Sequence, residues 1–186
     1  MTFKETEENV NKELMHSASM TTSFLLQAGL YQSGIALAEW VLKHREVTLG
    51  PEHSSTLSSA AVLASLFRAQ GRYTEAEPLY LRSLETRERT LGPDHSHTLT
   101  SVGNLASLYS VQGRYKKAKP LSQRVLSARE RTLGSEHPRT LASVGSLALL
   151  LSRQGRYTEA EPLYLRALET YERTLGSDHP STLISL

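Results

Sequence analysis

Four histidines, His53, His95, His137 and His179, recur at intervals of 42 residues. Imidazole is the side chain most ready to ligate a metal or move a proton near neutral pH. A metal site needs its ligands about 2 Å from one ion. A residue repeated once per stacked helical unit instead stands about two helix diameters, roughly 16–20 Å, from its copy. The ladder therefore cannot converge, and each His is expected to hydrogen-bond near the start of the following helix. The remaining chemistries find no foothold. The chain has no cysteine, which removes disulfides, thiolate metal sites and thiol nucleophiles. No Ser-His-Asp grouping, phosphate-cradling glycine loop or convergent carboxylate pair stands apart from the repeat pattern. The sequence predicts no catalysis, no cofactor and no metal.

The elements that position these residues are themselves repeated. Gly50, Gly92, Gly134 and Gly176 share the 42-residue interval, as do Gly29, Gly71, Gly113 and Gly155, and the segment 70–82 (QGRYTEAEPLYLR) returns unchanged as 154–166. Self-similarity at this period marks stacked supersecondary units rather than one globular core. Within one repeat, Leu57, Ala60, Leu63, Ala64 and Phe67 follow the i, i+3, i+4, i+7 rule of an amphipathic helix. Gly71 suits a C-terminal cap, and Ala76, Leu79, Tyr80, Ser83 and Leu84 start a second periodic run. Thr74 with Glu77 reads as a capping box, placing Pro78 in the first turn. First helices are predicted near 11–28, 54–70, 96–112 and 138–154, and second helices near 32–49, 74–91, 116–133 and 158–175. The expected architecture is one all-α array: residues 1–10 as an extension or cap, a degenerate repeat over 11–50, full repeats over 51–92, 93–134 and 135–176, and a partial fifth over 177–186.

Composition narrows the function classes. Hydrophobic residues make up 39% and charged residues 22%, which argues for a packed core and against wholesale disorder. The net charge is only +2, and arginines alternate with glutamates, as in Glu85-Thr86-Arg87-Glu88-Arg89. That alternation reads as a solvated, salt-bridged helix face and argues against nucleic acid. The amino terminus is acidic and lacks an apolar signal core, and no apolar run approaches the roughly 20 residues needed to span a bilayer. The expectation is a cytoplasmic protein with no membrane and no nucleic-acid partner.

Leu63-Ala64, Phe67, Gly71, Tyr73 and Ala76 recur as Leu105-Ala106, Tyr109, Gly113, Tyr115 and Ala118, and as Leu147-Ala148, Leu151, Gly155, Tyr157 and Ala160. In these residues the chain resembles tetratricopeptide repeats of the 42-residue subtype found in kinesin light chains, over roughly residues 15–186. The resemblance implies a right-handed α-solenoid of antiparallel helix pairs that binds a peptide or partner protein in its concave groove. It places the groove on the first helices: Ser58, Ala61, Ser65, Arg68 and Ala69, then Thr100, Gly103, Asn104, Ser107, Ser110 and Val111, then Ala142, Gly145, Leu149, Ser152 and Arg153. The Lys and Asn set by which some relatives clamp a peptide carboxylate is absent as a set. The kinesin-light-chain pattern usually has Asn where this chain has Ala61, Gly103 and Gly145.

Three departures from the repeat pattern each admit two readings. Gly103 and Gly145 cost roughly 1 kcal/mol each in a helix interior; they either admit a neighbouring helix at close range or form a shallow floor for a ligand backbone. Lys116, Lys117 and Lys119 replace Thr74, Glu75 and Glu77 of the preceding repeat and, with Arg114 and Arg124, form a basic patch. The patch either pairs with Glu75, Glu77, Glu159 and Glu161 or docks an acidic or phosphorylated segment. Trp40 stands where other repeats have Arg82, Arg124 and Arg166 and is expected to face outward, covered by residues 1–12 or by a partner. Alternatives to the scaffold reading are a homo-oligomer through exposed terminal repeats and a repeat fragment of a larger signalling protein.

Overall fold

The computed structural model describes residues 16–175. Helices cover 16–27 (α1), Tyr31–Thr48 (α2), Ser54–Ala69 (α3), Tyr73–Leu91 (α4), Ser96–Val111 (α5), Tyr115–Leu133 (α6), Pro138–Arg153 (α7) and Tyr157–Leu175 (α8), with no strand among the described residues. The extension over 1–10, the first turn of the helix expected from residue 11, the partial repeat 177–186, His179 and the cover expected over Trp40 all lie outside the described residues. Two compact units divide the chain, Met1–Leu91 and Gly92–Leu186. In the first, α3 packs between α2 and α4; in the second, α5 packs on α6, α6 on α7, α7 on α8, and α5 also touches α7.

Hydrophobic periodicity explains this packing. Leu57, Ala60, Leu63, Ala64 and Phe67 of α3 are each no more than 5% exposed, and α5 and α7 bury the same register with Leu99, Val102, Leu105, Ala106 and Tyr109, and with Leu141, Val144, Leu147, Ala148 and Leu151. The small residues Ala76, Ala118 and Ala160 of the second helices are fully or almost fully buried, which lets the paired helix axes approach to the usual 8–10 Å.

Helix ends are fixed by the repeated polar residues. His53, His95 and His137 are extended N-cap residues whose Nδ1 atoms accept from the backbone N–H of Ser55 (3.2 Å), His97 (3.2 Å) and Arg139 (3.1 Å). At the other end of α3, Gly71 takes φ +77°, a left-handed conformation that a side chain would strain. Arg72 N–H then donates to Phe67 C=O at 2.8 Å and Gly71 N–H to Arg68 C=O at 3.1 Å, closing α3 as a Schellman motif.

The second helices begin differently from the sequence expectation. α4 starts at Tyr73, so Thr74 lies inside the helix, makes no side-chain hydrogen bond among the described residues, and forms no capping box with Glu77. Arg72 instead turns back onto Glu75, and Arg156 onto Glu159 at 2.5 Å. Pro78 becomes the sixth helical residue and removes a hydrogen bond the helix would otherwise make. It lies on the exposed face, so the carbonyl left over is open to hydration.

Candidate functional site

The surface that could hold a ligand is set by how neighbouring helices are pinned, and arginine does the pinning. From α2, Arg45 donates through Nη1 to Ser59 Oγ at 2.6 Å and to Ser55 C=O at 3.2 Å on α3. From α6, Arg129 makes the same pair of contacts on α7, to Ser143 Oγ at 2.8 Å and Arg139 C=O at 3.0 Å. Arg87 occupies the register between them, is only 4% exposed, and donates to Ser58 Oγ at 3.0 Å. Burial pulls all three guanidinium pKa values below the ordinary arginine value, and the nearby charge of Arg139 adds to this for Arg129. The alternating Arg and Glu run is therefore not one solvated face. Arg87 and Arg129 turn inward, while Arg89, Arg131 and Arg173 pair at the surface with Glu52, Asp94 and Glu136. A signal was present in the sequence: Arg and Ser 14 residues apart, as Arg45 and Ser59, Arg87 and Ser101, Arg129 and Ser143.

A second set of bridges joins second helices to each other. Arg82 of α4 reaches Glu46 of α2 at 2.5 Å and Pro51 C=O at 2.9 Å; Arg166 of α8 reaches Glu130 of α6 at 2.8 Å and Ser135 C=O at 3.3 Å. Trp40 replaces arginine in this register. It is 46% exposed and stacks on His44 with ring centroids 5.7 Å apart.

With helices so fixed, the first helices turn one polar face outward. In the first unit that face on α3 holds exposed Ser58 with half-buried Ala61, Ser65 and Arg68. Ser65 is already engaged, since its hydroxyl lies 2.8 Å from the Tyr80 hydroxyl and donates to Ala61 C=O at 2.9 Å. Ser19, Ser23, Arg45, Ser58 and Val62 line a cleft of about 120 Å³ between helices of this unit.

In the second unit, Thr100, Gly103, Asn104 and Ser107 of α5 and Gly145, Leu149, Ser152 and Arg153 of α7 are exposed or half-exposed. Ser110 is the exception: it is 8% exposed, and Arg153 reaches over to its hydroxyl at 3.3 Å. A Cβ built on Gly103 or on Gly145 meets nothing within 4 Å. Close approach of a neighbouring helix is therefore not why glycine stands there. Gly34 of α2 supplies the contrast, because a Cβ there would come within 2.9 Å of the Leu66 Cδ2 methyl.

The basic patch lies on α6. Lys116 and Lys117 are exposed and Lys119 is half-buried. Arg114 lies over the Tyr109 ring at 4.4 Å, and Lys117 shares that ring at 5.4 Å. Within the second unit, Glu159 is taken by Arg156 and Glu130 by Arg166, and neither Lys116 nor Lys119 forms an ion pair there. In the first unit, Glu75 is taken by Arg72. Arg72 holds the Glu75 carboxyl below its ordinary pKa.

His53, His95 and His137 are each committed to the cap of a different helix. No group of three His, Cys, Asp or Glu among the described residues is placed to hold a metal ion. No helix among them is long and apolar enough to cross a membrane.

Helical hairpins of equal length, closed by an N-cap His and a left-handed Gly and pinned within each unit by arginine, define a helical-repeat protein of the α-solenoid class. Tetratricopeptide-repeat family models match residues 59–131 and 140–181. Nearly identical TPR-like repeats from a Podosopora anserina protein described as a kinesin light chain are 33% identical, cover 92% of this chain and 81% of that one, and superpose with TM-score 0.76; a single-residue variant of that protein gives the same values. BtubC (BKLC) from P. vanneervenii is 20% identical, covers 90% of this chain and 66% of its own, and shares the fold with TM-score 0.73. No curated protein sequence matches the chain. The chain belongs to the tetratricopeptide-repeat family, in its kinesin-light-chain-like form.

Proposed function

We propose that the protein is a non-catalytic, cytoplasmic interaction scaffold whose first-helix faces bind an extended peptide or a segment of a partner protein. The tetratricopeptide fold is in general a protein-interaction module, and the finer reading rests on one observation. Gly103 and Gly145 stand on the outer faces of adjacent helices with open space above them. Each sacrifices roughly 1 kcal/mol of helix stability relative to alanine with no packing in return. A surface kept low for a ligand backbone accounts for that sacrifice, with Asn104 and Arg153 beside it as hydrogen-bonding groups. Unlike reactive side chains do not converge on this face, so it holds rather than transforms.

The test is capture of partners from the native host by the wild-type protein and by a variant carrying Gly103→Gln and Gly145→Gln, whose Cβ atoms meet nothing within 4 Å. Loss of the captured proteins, with helicity kept and melting at or above that of the wild type, supports the face as the binding surface. Full retention of every captured protein rejects it.

A second reading, self-association of identical copies, is favoured by exposed apolar residues on the first and last described helices. Met20 and Phe24 of α1 are 61% and 64% exposed, and Tyr157 and Leu165 of α8 are 68% and 48% exposed beside a cleft of about 370 Å³. Light scattering that stays monodisperse and monomeric as concentration rises rejects this reading.

A further inference from the structure

The second helices of successive repeats share length, register and packing, yet one of them has inverted charge. α4 carries three arginines against four glutamates, and α8 carries two against four. α6, between them in the chain, carries Lys116, Lys117, Lys119, Arg124, Arg129 and Arg131 against Glu130 alone. Packing does not demand this. The residues α6 buries, Ala118, Ser122, Val125, Leu126 and Ala128, are neutral, and the lysines stand outside them. Cap chemistry does not demand it either, because α4 and α8 begin with an Arg–Glu pair that Lys117 forfeits in α6.

We propose that the outer face of α6 is a docking surface for an acidic protein segment, separate from the first-helix faces. Five observations support it together. The cationic residues are clustered, with three lysines in four positions. Lys116 and Lys117 are exposed, so a partner can reach them. Within their own unit Lys116 and Lys119 form no ion pair, the carboxylates of Glu159 and Glu130 being held by Arg156 and Arg166. Lys117, drawn over the Tyr109 ring beside Arg114, holds two cations close together on one side of the patch. The rest of the exposed stripe, Pro120, Gln123 and Ser127, carries no negative charge, whereas α4 and α8 have glutamate at the register of Ser127. An extended acidic strand laid along α6 thus meets cations first, and the carboxylate further along, Glu130, is already paired with Arg166. Such a surface acts chiefly through encounter rate and specificity, and it weakens as salt screens it.

The test uses a fluorescein-labelled decaglutamate peptide and the full chain, read by fluorescence anisotropy. The decisive variant is Lys116→Thr, Lys117→Glu, Lys119→Glu, which copies the first turn of α4 and α8. Because sister helices already fold with that sequence, its melting temperature should equal or exceed that of the wild type. The expected result is binding by the wild type that falls about tenfold or more in the variant and declines steeply with salt. A second variant with glutamine at the three lysines should fall between the two. The Gly103→Gln, Gly145→Gln variant should bind decaglutamate as the wild type does, which separates this surface from the first-helix face. Equal binding by the wild type and the triple variant overturns the proposal, and so does absence of wild-type binding. Tighter binding of a single-stranded oligonucleotide of equal charge also overturns it, by making the face a nucleic-acid site.

Discussion

Replacing Gly103 and Gly145 with alanine should make the protein more stable, and the gain can be worked from the structure. Both glycines lie within helices, α5 and α7, at negative φ, so alanine needs no change of backbone. The added methyl meets no atom within 4 Å at either site, so no overpacking term opposes it. What remains is helix propensity, about 1 kcal/mol per site, chiefly the backbone entropy glycine loses on folding. The two sites lie on different helices and each methyl stands in open space, so their effects should add to about 2 kcal/mol. For a chain of this size that corresponds to a rise of roughly 4–8 °C in melting temperature. Far-UV circular dichroism during heating, with urea unfolding in parallel, measures it. A double variant that melts at or below the wild-type temperature would refute the reasoning, because it would mean the helix faces are not open. If partner binding falls while the melting temperature rises, the loss belongs to the surface and not to the fold.

The same reasoning gives the opposite sign at Gly34, where the methyl would press on Leu66, a residue with no exposed surface. Gly34→Ala should be neutral to destabilising by about 2 kcal/mol, the overpacking cost outweighing the helix gain, and a clear rise in urea midpoint would contradict it. Arg129→Met keeps the apolar stem but removes two charge-assisted hydrogen bonds to α7, so it should destabilise by about 2–3 kcal/mol; a melting temperature within a degree or so of wild type would show the clamp is idle. His137→Ala deletes the acceptor for Arg139 N–H and should cost about 1 kcal/mol, whereas His137→Asn should recover most of it; equal losses in urea unfolding would deny the cap role. The Glu75 carboxyl, held low by Arg72, contributes stability above the ordinary carboxylate pKa that is lost as pH falls through its lowered value. Glu75→Gln should therefore flatten the acid limb of a stability-against-pH curve slightly, and an unchanged limb would show that the pair contributes nothing.

Much of the fold was legible because helix faces are written as periodic apolar residues and the copies agree with one another. Leu57, Leu99 and Leu141 hold one register, and all three are 1–2% exposed. The histidine ladder was also legible, since a residue that recurs once per hairpin cannot meet its copy. The start of α4 was misplaced because Thr74 and Glu77 fit the capping-box spacing, while the Arg72–Glu75 pair that actually forms has no comparable signature. The clamp by Arg45 and Arg129 was hidden for a different reason. Arginines in a run of alternating charge look solvated, and the 14-residue spacing from arginine to serine takes on its meaning once the serine's helix is in place. The candidate face was read more by analogy than by physics. The open space over Gly103 and Gly145 depends on where neighbouring helices stand, which a sequence pattern does not specify.

That Arg45 and Arg129 grip hydroxyl and carbonyl oxygens rather than carboxylates has a practical corollary. Dissolved ions weaken attraction between opposite charges far more than they weaken a hydrogen bond to a neutral acceptor. Brine should therefore strip a charged guest from the lysines of α6 while leaving these joints between hairpins intact, so that a washed column bed of this protein can be eluted and loaded again.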